Sequence, residues 1–246
     1  MKQTNKLELI INNLYKSPND SNLFGEEISK LLKSCTRISL KLFPKDFNFK
    51  KKYEVFQKAV CILSEKGWYV EYGMTFSNVT FAASLIENNK VEDADLFLKN
   101  YFDNEIDNIQ KIITSRSPER AHVLNASLNA HRKLEFYLST PVFFAQAEGI
   151  CLDLTNYRFF SSQKGQPKTK KYFNSFKGTE ILSDLLKPLI KIDVNRNFQI
   201  ENQPDGQNRH DVLHGQSSDY GENSINSYKA LSLLIYISDI VYSSIN

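Results

Sequence analysis

The chain has little glycine, proline or cysteine for its 246 residues. Glycine occurs 9 times and proline 7 times, so few turns interrupt the long periodic segments, which favours a mainly helical protein. The three cysteines, Cys35, Cys61 and Cys151, are widely spaced and form no CxxC pair. This spacing gives no sign of a zinc site and indicates a reducing compartment. No apolar run is long enough to span a bilayer, and the first residues lack a signal-peptide core. We therefore expect a cytoplasmic protein with no membrane partner.

The charge balance is nearly even. Lysine and arginine number 31 and aspartate and glutamate 28, which gives a formal net charge of +3. This charge does not by itself indicate a nucleic-acid-binding protein. Apolar residues make up 41% of the chain, enough to fill a core, and the length allows one large domain or two small ones.

Apolar residues recur at helical spacing throughout the N-terminal half. One predicted helix ends at Gly67, directly before Trp68, which we expect to pack in the core or between domains. A second helix runs from Phe76 to Ile86 and is ended by Asn88-Asn89. A third, acidic helix runs from Asp93 to Thr114, with Leu96 among its inward-facing residues. No internal repeat is evident, so a helical solenoid is not expected.

Two hydroxyl–proline pairs are typical of helix starts, because a serine or threonine can cap a helix and proline suits its first turn. Ser117-Pro118 predicts a helix that reaches about Leu138, and Thr140-Pro141 predicts the start of the next one. We predict an all-α fold with a boundary at the first pair. An N-terminal helical region would span residues 1–115, and a C-terminal helical bundle would span residues 116–246.

A basic loop and an apolar final helix follow. The predicted loop from Ser161 to Gly178 contains five lysines, Lys170 and Lys171 among them, three aromatic residues and no acidic residue. Such a loop could hold a single nucleic-acid strand through phosphate contacts and base stacking, although a charged loop is more often simply solvated. The final helix, Ser224 to Ile245, is apolar on more than one side, which is typical of a helix at the centre of its domain.

Cationic side chains are concentrated in a stretch that ends at Gly215. Two of the chain's 4 histidines, His210 and His214, lie here with Arg209. Histidines four residues apart share one face of a helix, while Val212-Leu213 would face the protein interior. An arginine can clamp phosphate, and an imidazole can transfer protons near neutral pH. The stretch therefore predicts a helical turn, ended by Gly215, that presents groups suited to phosphate chemistry.

This stretch resembles the HEPN superfamily, in which an arginine and a histidine are separated by four residues, the first of them polar. Three further segments resemble a bacterial branch of HEPN-like proteins: Gln146-Ala147-Glu148-Gly149-Ile150, Asp219-Tyr220-Gly221, and Asn223-Ser224 with Lys229-Ala230 before an apolar helix. The resemblance covers roughly Ser117 to Asn246. It implies a helical bundle that dimerises, with two motifs meeting in a cleft that cleaves RNA without a metal ion or cofactor.

The resemblance and the chemistry of RNA cleavage together assign roles to the motif residues. Arg209 would hold the phosphate and stabilise the transition state, and His214 would be the acid or base. His210 would be a second proton carrier or would orient the phosphate. Many HEPN proteins act in toxin–antitoxin or phage-defence systems, so an antitoxin or a defence protein is a candidate partner beside RNA and a second copy of the chain.

Further substrate contacts are predicted around the motif. Asn208, Lys170 and Lys171 are candidates for RNA binding. Glu148 either reaches the site and pairs with Arg209 or is a partly exposed residue at a helix kink. We expect another histidine, His131, to be partly buried and hydrogen-bonded.

Two other interpretations stay open. The chain could be a non-catalytic HEPN-like module that binds a nucleotide, RNA or a partner protein, because some HEPN members have no activity. It could also be a structural helical adaptor in which the motif forms a buried polar network. Two motifs that face each other across a symmetric dimer cleft open to solvent favour the ribonuclease, and a buried, single motif favours the adaptor.

Overall fold

The computed structural model describes residues 49–158, 162–163, 166–167 and 209–245. These residues form an all-α fold, as predicted. The helices, numbered from the first described one, are α1 (Phe49–Glu65), α2 (Phe76–Glu87), α3 (Val91–Arg116), α4 (Ala121–Arg132), α5 (Phe136–Thr155), α6 (Arg209–Leu213) and α7 (Ser224–Ile245). A 3-10 turn, Pro118–Arg120, precedes α4. Two short strands, β1 (Ser162–Gln163) and β2 (Gln166–Pro167), pair antiparallel within the predicted loop.

Helix α7 lies at the centre of the described core. Every residue from Ala230 to Val241 is buried, so neighbouring elements cover the helix on all sides. Its most extensive contacts are with α5, and it also packs against α3. Although α7 spans 22 residues, neither it nor any other described helix is both long and apolar enough to cross a membrane. The predicted central position of the final helix is confirmed.

One hydrophobic core joins the helices on both sides of residue 116. Trp68 is 1% exposed, stacks on Phe102 and shares this core with Phe143 and Leu234. The indole N–H of Trp68 donates a hydrogen bond to Asp95 (2.6 Å). The described parts of the two predicted regions therefore share a core, and the division of the chain into domains stays a prediction.

The inward face of α3 differs from the predicted one at Leu96, which is exposed. The buried residues of this helix are Ala94, Leu98, Phe102, Ile109 and Ile113. Leu96 is two residues from both Ala94 and Leu98, an offset of about 200° around a helix. It therefore points away from the face that those residues form.

Helix α5 starts at Phe136, so the predicted start at Thr140-Pro141 is wrong. Pro141 lies inside the helix, where it has no N–H to donate to the carbonyl of Tyr137, four residues earlier. The other predicted start, Ser117-Pro118, opens the 3-10 turn that leads into α4, and the Ser117 side chain makes no capping hydrogen bond.

The preceding helix, α4, ends at Arg132, so its predicted end at about Leu138 is wrong. It ends there because Leu134 takes a left-handed conformation, with φ 62°. The N–H of Leu134 donates to the carbonyl of His131 (3.0 Å), and the N–H of Glu135 donates to that of Ala130 (2.9 Å). These two bonds form a Schellman C-cap. The cap separates α4 from α5 by a three-residue connection, residues 133–135, which the sequence did not predict.

Candidate functional site

The arginine–histidine motif begins on the short helix α6, which packs against α5. Val212 is buried and Leu213 packs against the core, as predicted. His214 directly follows the last helical residue, and its side chain is exposed. The motif histidine is therefore presented at the surface, at the end of a turn anchored by apolar contacts.

A glycine ends α6 with the same hydrogen-bond pattern that ends α4. Gly215 has φ +71°, its N–H donates to the carbonyl of Val212 (3.4 Å), and the N–H of Gln216 donates to that of Asp211 (2.7 Å). A Cβ at Gly215 would meet no heavy atom within 4 Å, so glycine is favoured by the left-handed backbone and not by lack of space. The cap therefore explains, on structural grounds, why a glycine directly follows His214.

The other predicted site residues are described only in part. The backbone of Arg209 and His210 forms the first turn of α6, and their side chains lie outside the described part of the structure. Outside the described residues lie the three predicted RNA contacts, Asn208, Lys170 and Lys171. Glu148 is half-buried on α5, the helix against which α6 packs. The structure thus brings the helices of Glu148 and Arg209 together, and the pairing of the two side chains stays a prediction.

The segment of α5 around Glu148 also binds the side chain of Arg120, which belongs to the 3-10 turn. Arg120 donates from Nε to Asp153 (2.7 Å) and from Nη1 to Gln146 (3.0 Å). A Cβ at Gly149 would lie 2.3 Å from Arg120 Nη1, so the missing side chain makes room for the guanidinium. Gln146 and Gly149 therefore fasten the turn before α4 to α5, a structural role that the sequence did not predict.

The connection between α6 and α7, residues 214–223, is attached to the start of α5. The Tyr220 hydroxyl donates to the carbonyl of Tyr137 (3.0 Å), and the two rings meet edge to face with centroids 5.3 Å apart. A Cβ at Gly221 would lie 2.5 Å from the Tyr137 ring. We call these three residues the tyrosine clasp. The clasp gives the Asp219-Tyr220-Gly221 segment a role that the sequence did not predict.

The histidine of α4, His131, belongs to a buried chain of polar groups. Its Nδ1 is 2.8 Å from Ser227 Oγ, which in turn is 2.8 Å from Ser139 Oγ. Burial lowers the pKa of His131 to about 4, so the imidazole is neutral at neutral pH. The prediction of a buried, hydrogen-bonded histidine is confirmed, and its burial makes the role of this imidazole structural.

A buried ion pair joins the central helix to the end of α3. Asp239 of α7 pairs with Arg116 and accepts a hydrogen bond from the N–H of Tyr72 (2.8 Å). Both charged side chains are almost fully buried, and removing one partner of such a pair is strongly destabilising. An aspartate among the mainly apolar residues 230–241 was a sequence signal that a buried partner exists, although it did not identify Arg116.

A second buried carboxylate, Glu71, lies close to this pair. It accepts hydrogen bonds from the Tyr101 hydroxyl and from the N–H of Gly73 (2.7 Å). Burial, followed by the nearby charge of Asp239, raises the pKa of Glu71 to about 7. The group therefore changes its charge near neutral pH while it ties the connection between α1 and α2 to α3.

Comparisons with models of protein families, with curated proteins and with solved structures found no match. The resemblance to HEPN proteins therefore stays a prediction that rests on the motif and its neighbouring segments. Among the described histidines, exposed His214 can meet a substrate from solvent, and buried His131 cannot.

Proposed function

We propose that the chain is a metal-independent endoribonuclease of HEPN type that acts as a homodimer in the cytoplasm. The observation that carries this proposal is the placement of His214, which is exposed directly after a helical turn anchored by buried Val212. The adaptor interpretation requires the motif to lie within a buried polar network. The exposure of His214 argues against that interpretation.

In the proposed reaction, the 2′-hydroxyl of RNA attacks the adjacent phosphorus, and the 5′-oxygen of the next nucleotide leaves. One imidazole takes the proton of the attacking hydroxyl, and another gives a proton to the leaving oxygen. Arg209 stabilises the negative charge that develops on the phosphorane oxygens. The products are a 2′,3′-cyclic phosphate and a 5′-hydroxyl, so the reaction consumes no water.

The proposed dimer comes from the HEPN resemblance, and it offers one of two sources for the second proton carrier. His214 supplies one of them, and the second is either His210 or His214 of another copy of the chain. Glu148, on the helix next to α6, would orient Arg209. A ribonuclease of this kind fits a toxin or phage-defence effector, with an antitoxin or defence protein as its regulatory partner.

The first prediction concerns His214→Ala. We expect this substitution to lower the rate of RNA cleavage by roughly 100-fold or more, because general acid–base catalysis contributes on the order of 10²–10⁴-fold. The measurement uses purified protein and an unstructured RNA in the presence of EDTA. Mass spectrometry of the products should find 2′,3′-cyclic phosphate and 5′-hydroxyl ends with the wild type.

The matched control is His122→Ala, which removes an exposed histidine from α4 and should cleave at the wild-type rate. A fully 2′-deoxy oligonucleotide should resist cleavage, since it lacks the attacking hydroxyl. Wild-type activity of His214→Ala, or loss of cleavage in EDTA, would contradict the proposed mechanism. RNA binding without cleavage by the wild type would favour the non-catalytic HEPN-like module.

A further inference from the structure

One carbonyl of α5 lacks its usual helical donor. In a regular helix the carbonyl of residue 137 accepts a hydrogen bond from the N–H of residue 141. Residue 141 is a proline inside α5, and proline has no N–H. The hydroxyl of Tyr220 donates to this carbonyl instead (3.0 Å). The group that replaces the missing donor therefore comes from the connection that carries His214.

Two further contacts fix the position of Tyr220. Its ring meets the Tyr137 ring edge to face, at an interplanar angle of 64°. Gly221 allows this approach, because any Cβ there would overlap the Tyr137 ring. The side-chain amide of Asn226 in α7 donates to the carbonyl of Tyr220 (3.2 Å). Tyr220 is thus held between the start of α5 and the first turn of α7.

The chain between Tyr220 and His214 is held as well. The N–H of Ser217 donates to the carbonyl of Asp211 (3.1 Å), and the Ser217 hydroxyl donates to Asp219 (2.7 Å). His214 therefore lies on a connection that is fixed at α6 by its C-cap and at α5 by the tyrosine clasp. Holding both ends of a short connection limits the positions that its backbone can reach.

The geometry points to Tyr220 as a positioning residue for His214. Its hydroxyl holds residues 214–223 against α5, so that the imidazole is presented to the substrate from a fixed backbone. In this role Tyr220 touches neither the substrate nor the reacting atoms. The inference rests on the proposed ribonuclease function, which assigns proton transfer to His214.

The test is Tyr220→Phe, which removes the hydroxyl and keeps the ring. Amide hydrogen exchange at residues 212–221 should become faster. The kcat for RNA cleavage should fall by roughly two- to tenfold, the range that one neutral hydrogen bond supports, while KM stays unchanged. Exchange mass spectrometry and steady-state kinetics on the full chain measure both effects.

Two further variants separate the hydroxyl from general effects of substitution. Tyr157→Phe makes the same change at an exposed tyrosine beyond the end of α5 and should match the wild type in both measurements. Pro141→Ala returns an N–H to the Tyr137 carbonyl. In that background Tyr220→Phe should accelerate exchange less than it does in the wild-type chain, because the carbonyl keeps a donor.

The outcomes distinguish the positioning role from the ribonuclease function. Unchanged exchange and kcat in Tyr220→Phe, in a protein that His214→Ala inactivates, would overturn the positioning role alone. A raised KM with unchanged kcat would also overturn it, since Tyr220 would then bind substrate. Full activity of His214→Ala would contradict both the proposed function and the positioning role. Hydrogen exchange of Tyr220→Phe would still show whether the hydroxyl holds residues 214–223 against α5.

Discussion

Three histidines have described side chains, and their surroundings separate their roles. His122 and His214 are exposed, whereas His131 is 1% exposed and surrounded by aromatic rings. An imidazole transfers protons to a substrate only where it can both titrate and reach that substrate. At the residue scale, His131 therefore serves the fold, while His214 has the exposure that the proposed chemistry requires.

The burial of His131 predicts a loss of stability in mild acid. Its pKa in the folded protein is about 4, against 6.5 for the ordinary group. Between these values the unfolded chain binds more protons than the folded one, so the free energy of unfolding falls as the pH drops below 6.5. The contribution of His131 to this loss between pH 7 and pH 5 should be roughly 2 kcal/mol.

Urea unfolding of His131→Asn at pH 7 and pH 5 tests this prediction. The variant can keep a polar partner for Ser227 but has no imidazole to titrate, so the free energy of unfolding of the variant relative to the wild type should increase by roughly 2 kcal/mol from pH 7 to pH 5. His122→Asn, on the same helix, is the matched control and should follow the wild-type curve. Parallel curves for His131→Asn and the wild type would show that this histidine does not set the pH dependence.

At the element scale, four described helices end with the same C-cap. A residue with positive φ follows each of them: Gly67 after α1, Asn89 after α2, Leu134 after α4 and Gly215 after α6. Glycine and asparagine tolerate this conformation, and the sequence predicted the three ends where they occur. The end of α4 could not be predicted, because leucine gives no such signal and Thr140-Pro141 resembles a helix start.

Replacing Leu134 by glycine should therefore stabilise the protein. A left-handed leucine costs roughly 1–2 kcal/mol, and glycine relieves that cost. Glycine is also more flexible in the unfolded chain, which offsets part of the stabilisation. Leu134 is 69% exposed, so little packing is lost. We expect the free energy of unfolding to rise by roughly 0.5–1 kcal/mol in urea denaturation.

Leu96→Gly is the matched control for that variant. Leu96 is also exposed, at 57%, but it lies inside α3, where glycine should cost about 1 kcal/mol. The same substitution is thus expected to have opposite signs at the two positions. A destabilised Leu134→Gly would mean that the leucine side chain contributes more at this cap than its exposure suggests.

At the scale of the whole molecule, most of the correct predictions came from the pattern of apolar residues in the sequence. The all-α fold and the central α7 follow from helical spacing and from a final helix that is apolar on several sides. The local motif around His214 was also visible, since its residues are neighbours in the chain. The links that hold these parts together were not visible, because they join residues far apart, such as Arg116 with Asp239 and Tyr137 with Tyr220.

The buried carboxylate Glu71 predicts a pH effect opposite in sign to that of His131. Its pKa rises from 4.5 to about 7 on folding, so between these values the folded protein holds the proton more tightly than the unfolded chain. The stability that this proton supplies is present below pH 4.5 and is lost as the pH rises through 7. From pH 4.5 to 6.5 the contributions of Glu71 and His131 therefore oppose each other, and the wild type should show a flatter stability curve than either group alone would give.

Glu71→Gln should remove the pH dependence that Glu71 contributes and leave that of His131. The amide stays neutral at every pH and can still meet Tyr101 and the N–H of Gly73. Relative to the wild type, the variant should therefore gain roughly 2 kcal/mol in the free energy of unfolding between pH 5 and pH 7. Urea unfolding at the two pH values measures that gain, and the double variant with His131→Asn should be less pH-dependent than Glu71→Gln. A constant difference between Glu71→Gln and the wild type at both pH values would mean that Glu71 does not hold its proton on folding, and that the cluster with Asp239 and Arg116 is fully charged near neutral pH.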